Sequence, residues 1–296
     1  MKKINAAIIG FGNIGKAVFD SLESSKDFNI AGIVRNNIGD GGYKGYKVVK
    51  NIDELQNVDV AVLTAPSRKI KELAVPLLKK GIRTVDSFDI HSEIVNLRED
   101  FDKVCKESGS AALISCGWDP GSDSVVRALL LACVPKGITY TNFGEGMSMG
   151  HTVCVKAIAG VKDAMSVTIP KGNGLHRRMV YVELENGASF DSIEKNIKTD
   201  PYFCHDETYV KQVECVDDLK DMGHGVNIFR KGTSGSTPNQ LIDFNMKINN
   251  PALTGEILVA AARAVMLQKS GAYTMIEIAP IDFLFGDRKE LIKHLV

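Results

Sequence analysis

The stretch Ala6-Ala7-Ile8-Ile9-Gly10-Phe11-Gly12-Asn13-Ile14-Gly15-Lys16-Ala17-Val18-Phe19 decides how the chain folds. An apolar, strand-like run enters a G-x-G-x-x-G loop and a helix-like run leaves it, the entry to a dinucleotide-binding βαβ unit. Gly10 permits a tight turn, Gly12 lets backbone approach a pyrophosphate, and Gly15 allows close packing of helix on strand. Phe11, Asn13 and Ile14 complete the loop, and amides at the helix N-terminus face the phosphates. An ordinary βα turn could carry the same glycines. The strand, helix and following strand, in that order, favour a cofactor site.

The next strand ends Ile33-Val34-Arg35-Asn36, with Arg35 twenty positions past Gly15. An NAD site usually carries an Asp or Glu there for the ribose 2′-hydroxyl. A carboxylate would repel a 2′-phosphate, whereas a guanidinium can donate paired hydrogen bonds to it, so Arg35 and Asn36 favour NADP over NAD. The competing reading is a surface arginine that ends a strand.

Working outward, short apolar runs alternate with helix-like stretches as far as Ser115. Strands are expected at Ile4 to Ile9, Ile30 to Val34, Val58 to Thr64, Arg83 to Ser87 and Ala111 to Ser115. Their continuous apolar character suits a parallel sheet covered on both faces. The ends Thr64-Ala65-Pro66-Ser67 and Asp86-Ser87-Phe88 fall on the carboxyl edge of that sheet, where doubly wound folds bind ligands, and belong to the expected cofactor set. After Trp118-Asp119-Pro120-Gly121 a helix (Ser122 to Cys133) precedes alternating runs at Met179 to Leu184, Thr208 to Val216 and Leu241 to Ile248. These read as an antiparallel or mixed sheet. A helix at Thr254 to Lys269, a strand at Tyr273 to Ile278 and a helix at Asp287 to Leu295 finish the chain.

The expected fold is therefore α/β: an N-terminal Rossmann-type doubly wound parallel sheet plus an α+β substrate-binding and dimerisation domain. Residues 1–118, completed by 270–296, form the dinucleotide-binding domain, and 119–269 the second domain.

Composition narrows the function classes. With 36 basic and 36 acidic residues the net charge is zero, which speaks against nucleic acid or an anionic membrane surface as partner. The start of the chain lacks the apolar stretch of a secretory signal, and no apolar run would span a bilayer, so a cytoplasmic protein is expected. Cysteines 105, 116, 133, 154, 204 and 215 have neither Cys-x-x-Cys nor zinc-ligand spacing, which predicts reduced thiols and no metal site.

Two acidic residues stand just past expected strands: Asp89, in Asp86-Ser87-Phe88-Asp89-Ile90-His91, and Asp119, in Cys116-Gly117-Trp118-Asp119-Pro120-Gly121. Carboxylates near the nicotinamide end of the crevice suit an ammonium substrate. Asp119 reads equally as a helix-capping residue before Pro-Gly.

At these residues the chain resembles the meso-diaminopimelate dehydrogenase family. The resemblance covers nearly the whole chain. It rests on the glycine loop, Val85-Asp86-Ser87-Phe88-Asp89-Ile90-His91, Cys116-Gly117-Trp118-Asp119-Pro120-Gly121, Gly144-Glu145-Gly146-Met147-Ser148-Met149-Gly150-His151 and Ser270-Gly271-Ala272-Tyr273-Thr274. The resemblance implies NADP-dependent oxidative deamination of meso-2,6-diaminopimelate at its D-carbon, giving L-2-amino-6-oxopimelate, ammonia and NADPH. The reverse reaction would supply lysine and peptidoglycan precursors. It further implies that Asp89 and Asp119 flank the reacting end as catalytic residues, with Trp118, Phe143 and Met149 shaping the pocket. Thr168, Arg178, His224 and Asn250 would hold the distal L-end. A guanidinium, a hydroxyl and an imidazole can donate to a carboxylate, and an amide can accept from an ammonium. Taken singly, the four read as a strand threonine, a solvated charge, a loop histidine and a helix cap. A homo-oligomer is implied, at least a dimer, with a hexamer as the larger form. Rival readings are an NADP dehydrogenase of aspartate or saccharopine type and a non-catalytic NADP-binding regulator.

Overall fold

The computed structural model describes residues 3–39, 41–219 and 223–296. In chain order the elements are β1 (Ile4–Ile9), α1 (Asn13–Ser24), β2 (Phe28–Val34), β3 (Gly42–Tyr43), β4 (Tyr46–Val49), β5 (Val60–Leu63), α2 (Ser67–Lys79), β6 (Arg83–Asp86), α3 (Ile94–Ser108), β7 (Ala111–Ile114) and α4 (Ser122–Cys133). Then follow β8 (Lys136–Phe143), β9 (Gly146–Met147), α5 (Met149–Lys156), β10 (Val161–Gly172), β11 (Leu175–Leu184), α6 (Phe190–Thr199), β12 (Glu207–Gln212), β13 (Gly223–Ser234) and β14 (Thr237–Asn249). The chain closes with α7 (Asn250–Val265), β15 (Gly271–Thr274) and α8 (Arg288–Leu295). It divides into two compact units, Met1–Val126 with Pro251–Val296, and Arg127–Asn250.

The first unit is built on an eight-stranded sheet of order β15-β7-β6-β5-β1-β2-β4-β3. β1 pairs in parallel with β2 on one side and β5 on the other, so the strand order reverses at the end of β1. That reversal is the topological switch point of a doubly wound fold, and ligands bind outside the strand ends there. Burial explains the continuous apolar runs. Ala6 and Ile8 enter one core cluster, with Val18, Phe19 and Leu22 of α1 and Leu258, Val259 and Ala262 of α7. Ala7 and Ile9 enter the other, with Ile70, Ala74 and Leu77 of α2 and Leu97 and Phe101 of α3. Successive side chains point to opposite faces and both faces are covered, so no polar alternation survives.

Three sequence expectations shift. The strand expected at Tyr273 to Ile278 stops at Thr274, where the Glu277 carboxylate accepts from the Thr274 amide (2.8 Å) and hydroxyl (3.0 Å) and winds Met275–Glu277 into a 3-10 turn. The helix expected at Thr254 to Lys269 begins at Asn250, with Pro251 in its first turn, where a missing amide costs nothing. Its burial in the first core, with Gly255 lying so close to α1 that a Cβ would sit 2.7 Å from the Ala17 carbonyl carbon, groups Pro251–Val265 with the first unit. The sequence division had put that stretch in 119–269. The β3–β4 hairpin was not foreseen at all.

The second unit holds two sheets. One is mixed, β12-β11-β10-β9, with β11 and β12 parallel; the other is antiparallel, β14-β13-β8. Val155, Val180, Val182, Ile193, Ile197 and Phe203 form a core between the mixed sheet and helices α5 and α6. Among the described residues no helix is long and apolar enough to cross a membrane.

Candidate active site

In the first unit the glycine loop has a geometry that only glycine serves. Gly10 adopts φ +94°, and a Cβ there would lie 3.0 Å from the Thr64 carbonyl. On Gly15 it would lie 2.6 Å from the Gly10 oxygen, so the first turn of α1 rests on the end of β1. Gly12 differs: a Cβ there would meet nothing within 4 Å, and no side chain caps α1 at this position. Open space in front of uncapped helix amides is what an approaching pyrophosphate requires. The Arg35 guanidinium lies over the Phe11 ring at 5.6 Å, and its buried Nε has no hydrogen-bond partner among the described residues. A half-buried cation with an orphaned donor at the end of β2 fits an anionic group on the adenosine ribose. Asn36 beside it is exposed. Tyr43 of the unforeseen hairpin packs edge-on to Phe11 at 4.8 Å and so steadies the ring under Arg35.

Four residues expected to touch the cofactor, Thr64, Ser67, Asp86 and Phe88, are engaged within the protein, Ser67 on Asp89. The Thr64 hydroxyl donates to the Ile9 (3.2 Å) and Gly10 (3.0 Å) carbonyls, bracing the glycine loop from β5. Phe88 is 3% exposed, with its ring in the second core and its amide on the Asp86 carboxylate. Asp86 is wholly buried, and one carboxylate oxygen accepts from the amides of Phe88 and Ser115, each at 3.0 Å. Asp86 thus ties the end of β6 to the end of β7. Burial pushes its carboxyl up to about 6, against the pull of those two amides. Burial and the neighbouring Asp86 charge push the Cys116 thiol up as well, which keeps it an inert thiol. Of the rest of that set, Ser87 is half-buried and lies beside Gly117, and Ala65 and Pro66 lead into α2.

That tie positions both acidic segments. Ser67, first residue of α2, donates its hydroxyl to Asp89 Oδ1 (2.6 Å) and accepts from the Asp89 amide (3.1 Å). The Asp89 carboxylate is therefore held in a fixed direction at the carboxyl edge of the sheet. Trp118 and Asp119 sit in a loop closed on itself: the Gly117 amide donates to the Pro120 carbonyl (2.9 Å), and the Ser122 amide to the Gly117 carbonyl (3.1 Å). The Asp119-Pro120 peptide is cis. Because α4 starts at Ser122, Asp119 is not its capping residue, and that alternative is set aside.

In the second unit, strand register links the four residues expected at the distal end of the substrate. Thr168 on β10 faces Arg178 on β11 and Gly146 on β9. Gly146 in turn lies against the backbone of Gly223 and His224, where a Cβ would sit 2.1 Å from the Gly223 oxygen. Gly223 faces Asn249, the residue before Asn250. Met222, in the same stretch, lies outside the described residues. Thr168, His224 and Asn250 are 1%, 8% and 5% exposed. The Arg178 guanidinium donates from Nη1 to the Thr168 hydroxyl and from Nε to Asp206 Oδ2 (2.6 Å). His224 Nδ1 accepts from the Gly225 amide (2.8 Å), which leaves the proton of the neutral ring on Nε2. The Phe143 ring stands 5.2 Å from that of His176 and 6.4 Å from that of His224, and its amide donates to His176 Nε2 (2.9 Å). Met149 opens α5 and packs with Met147, Met165 and Val216.

Asp206 and His176 escaped the sequence reading. Each owes its place to a partner on a strand distant in sequence, and neither lies in a motif. Among the described residues no group of His, Cys, Asp and Glu could hold a metal.

Comparison with known proteins gives the same outline. Residues 117–177 and 171–250 match the diaminopimelic acid dehydrogenase C-terminal domain, and residues 1–89 the CoA binding domain. The chain is 58% identical to the meso-diaminopimelate D-dehydrogenase of Bacteroides fragilis, over 100% of both chains. It superposes on the C. glutamicum DAP dehydrogenase solved in complex with DAP with TM-score 0.89, at 28% identity over all of both chains. An engineered D-amino acid dehydrogenase bound to NADP+ superposes with TM-score 0.88 at 26% identity, again over the full chains. Full-length identity at this level, with the matching C-terminal domain, makes the chain a member of the meso-diaminopimelate D-dehydrogenase family, α/β amino-acid dehydrogenases that act on CH–NH2 donors.

Proposed function

We propose that this enzyme oxidatively deaminates meso-2,6-diaminopimelate at its D-carbon with NADP, yielding L-2-amino-6-oxopimelate, ammonia and NADPH. The observation that carries the reading is the Thr168, Arg178, His224 and Asn250 quartet of the second unit, in which strand register sets partly buried Arg178 against buried Thr168 and brings the Gly146 strand from Thr168 to His224. Such a set fits a terminal amino acid rather than an alkyl or hydroxyl end. The B. fragilis relative's name points to the same substrate, and the NADP+ carried by the engineered structural neighbour supports the cofactor.

The α1 N-terminus at Gly12 and Asn13 would hold the pyrophosphate, and Arg35 the 2′-phosphate. When bound, the nicotinamide supplies the hydride acceptor. The chain's own groups do the rest. Asp89, oriented by Ser67, and Asp119 bind the reacting ammonium and take its proton directly or through water, because only the neutral amine can become an imine as hydride leaves the D-carbon. Water then adds to the imine carbon, and collapse expels ammonia and leaves the oxo group. Arg178 uses two of its donors on Thr168 and Asp206, and the remaining guanidinium hydrogens are available to the distal carboxylate. We assign the reaction to the supply of lysine and peptidoglycan precursors, run in the cytoplasm by a homo-oligomer of at least two chains, a number that light scattering would read.

The test is NADP reduction with meso-diaminopimelate beside L,L-diaminopimelate. Turnover of the first and none of the second is expected, since only the meso compound offers a D-centre beside an L-end. Activity on neither would refute the reading. Arg178→Ala should lower kcat/KM about 10- to 100-fold, mostly through KM, the range expected for losing a charge-assisted contact. In the first unit, Arg35→Ala should raise the KM for NADP by about 10-fold or more and leave that for NAD nearly unchanged. Equal effects on both cofactors would remove Arg35 from 2′-phosphate recognition.

A further inference from the structure

We infer that Asp206 is a specificity-determining residue, which neutralises Arg178 so that the distal pocket takes a zwitterionic amino-acid end in preference to a bare carboxylate. This rests on the deamination reading and sharpens it. A lone, half-desolvated guanidinium attracts any carboxylate. Here the guanidinium already has a carboxylate partner: Nε donates to Asp206 Oδ2 at 2.6 Å, and the two side chains are 12% and 24% exposed. A substrate bringing only a second carboxylate would leave the cluster with an uncompensated negative charge in a poorly solvated place, which is costly. A substrate bringing a carboxylate and an ammonium adds no net charge. Among the described residues nothing donates to Asp206 Oδ1, so an acceptor for that ammonium is at hand beside the guanidinium.

The neighbouring pair shows that this is not a generic feature of the sheet. Arg177, one residue earlier on β11, pairs with Glu207 at 3.1 Å, and there the side chains are 40% and 33% exposed. Lys171 and Tyr209 also reach Glu207, and together these partners hold its carboxyl down near 2. That pair is a solvated surface network of the kind that contributes little. Successive residues of a strand alternate faces, so Arg178 turns the other way, onto buried Thr168. A partly desolvated ion pair seldom stabilises a fold more than apolar residues would, so stability alone does not account for a second charge placed there. Discrimination between ligands does.

The experiment compares kcat/KM for meso-diaminopimelate with that for D-2-aminoheptanedioate, the same chain with hydrogen in place of the distal ammonium, in wild type, Asp206→Asn and Asp206→Glu. Wild type should prefer the diamine by about 100-fold or more, as sites built for a polar group reject the analogue lacking it. Asp206→Asn should cut that preference at least 10-fold, with the change falling mainly on KM, and Asp206→Glu should restore most of it. An unchanged ratio in Asp206→Asn, or an equal loss on both substrates, would reduce Asp206 to a structural brace and overturn the inference. If Asp206→Asn does not fold, a wild type indifferent to the distal ammonium still overturns it. A wild type that reduces NADP with neither compound sinks the deamination reading itself, which distinguishes the two failures.

Discussion

Gly121→Ala is expected to abolish most activity and to lower Tm by about 6–12 °C, because no side chain fits where this glycine lies. Gly121 adopts φ +149°, and a Cβ there would fall 1.9 Å from the Gly117 oxygen and 2.8 Å from the Gly117 nitrogen. All the atoms in the way are backbone, so no rotamer change relieves the overlap. The loop has to open, which breaks the Gly117 to Pro120 and Ser122 to Gly117 hydrogen bonds that shape it. Strain and two lost hydrogen bonds together amount to about 3 kcal/mol, the basis of the Tm figure. The functional loss follows from the role proposed for Asp119. Trp118 and Asp119 ride on this loop, and displacing a carboxylate that handles the substrate amine by about 1 Å would cost on the order of 100-fold in rate. Calorimetry and NADP-linked kinetics check the two parts separately. A variant with wild-type Tm and kcat/KM would show that the loop can relax around a methyl group, and that the Gly117–Gly121 closure does not set the position of Asp119.

How much of this could be read from the sequence depends on how local each feature is. β1 at Ile4–Ile9 and α4 at Ser122–Cys133 match the sequence expectation residue for residue. Their apolar patterning is continuous, and β1 runs into a glycine signal. The hairpin of Gly42–Tyr43 and Tyr46–Val49 left no such trace, since its strands are very short and it is held by packing of Tyr43 and Tyr46 on Phe11 and Phe19. In β13 the glycines at 223, 225 and 232 break the alternation that marks a strand, and only the partners β8 and β14 define it. The carboxyl-edge rule points to segments and says nothing of side-chain direction. It therefore gives Ser67, whose hydroxyl is on Asp89, the same cofactor role as Phe88, whose ring is in the core, and Thr64, whose hydroxyl serves the loop backbone. Asp206 and His176 lay beyond it altogether, because only register brings them to Arg178 and Phe143.

Asp86 gives the second large effect, and its two substitutions should part company. Asp86→Ala removes the acceptor shared by the Phe88 and Ser115 amides, both buried, and stranding them costs about 1–3 kcal/mol each before any cavity is counted. Ser115 also holds φ +56°, a conformation that a residue other than glycine keeps only while its surroundings enforce it. The alanine variant should therefore lose stability at every pH, and activity with it, as the Asp89 and Trp118–Asp119 segments lose their common anchor. Asp86→Asn keeps an oxygen acceptor and discards the charge. The sign follows from the carboxyl being pushed up by burial to about 6 from the ordinary 3.8. Below about pH 4 the group is protonated whether the chain is folded or not. Between about pH 4 and 6 the folded protein keeps a proton that the unfolded chain has lost, so wild-type stability falls as pH rises through this window. The loss is about 3 kcal/mol by pH 7, at roughly 1.4 kcal/mol per pKa unit. The asparagine variant should lack this slope. It should be at least as stable as wild type at pH 7.5, and should lose that advantage as the pH is lowered to 4. Thermal unfolding of the three proteins across pH 4–8 measures it. If Asp86→Asn proved as unstable as Asp86→Ala at neutral pH, the ionised carboxylate would itself be holding the two loops, through its buried second oxygen, and the burial penalty would not govern this site.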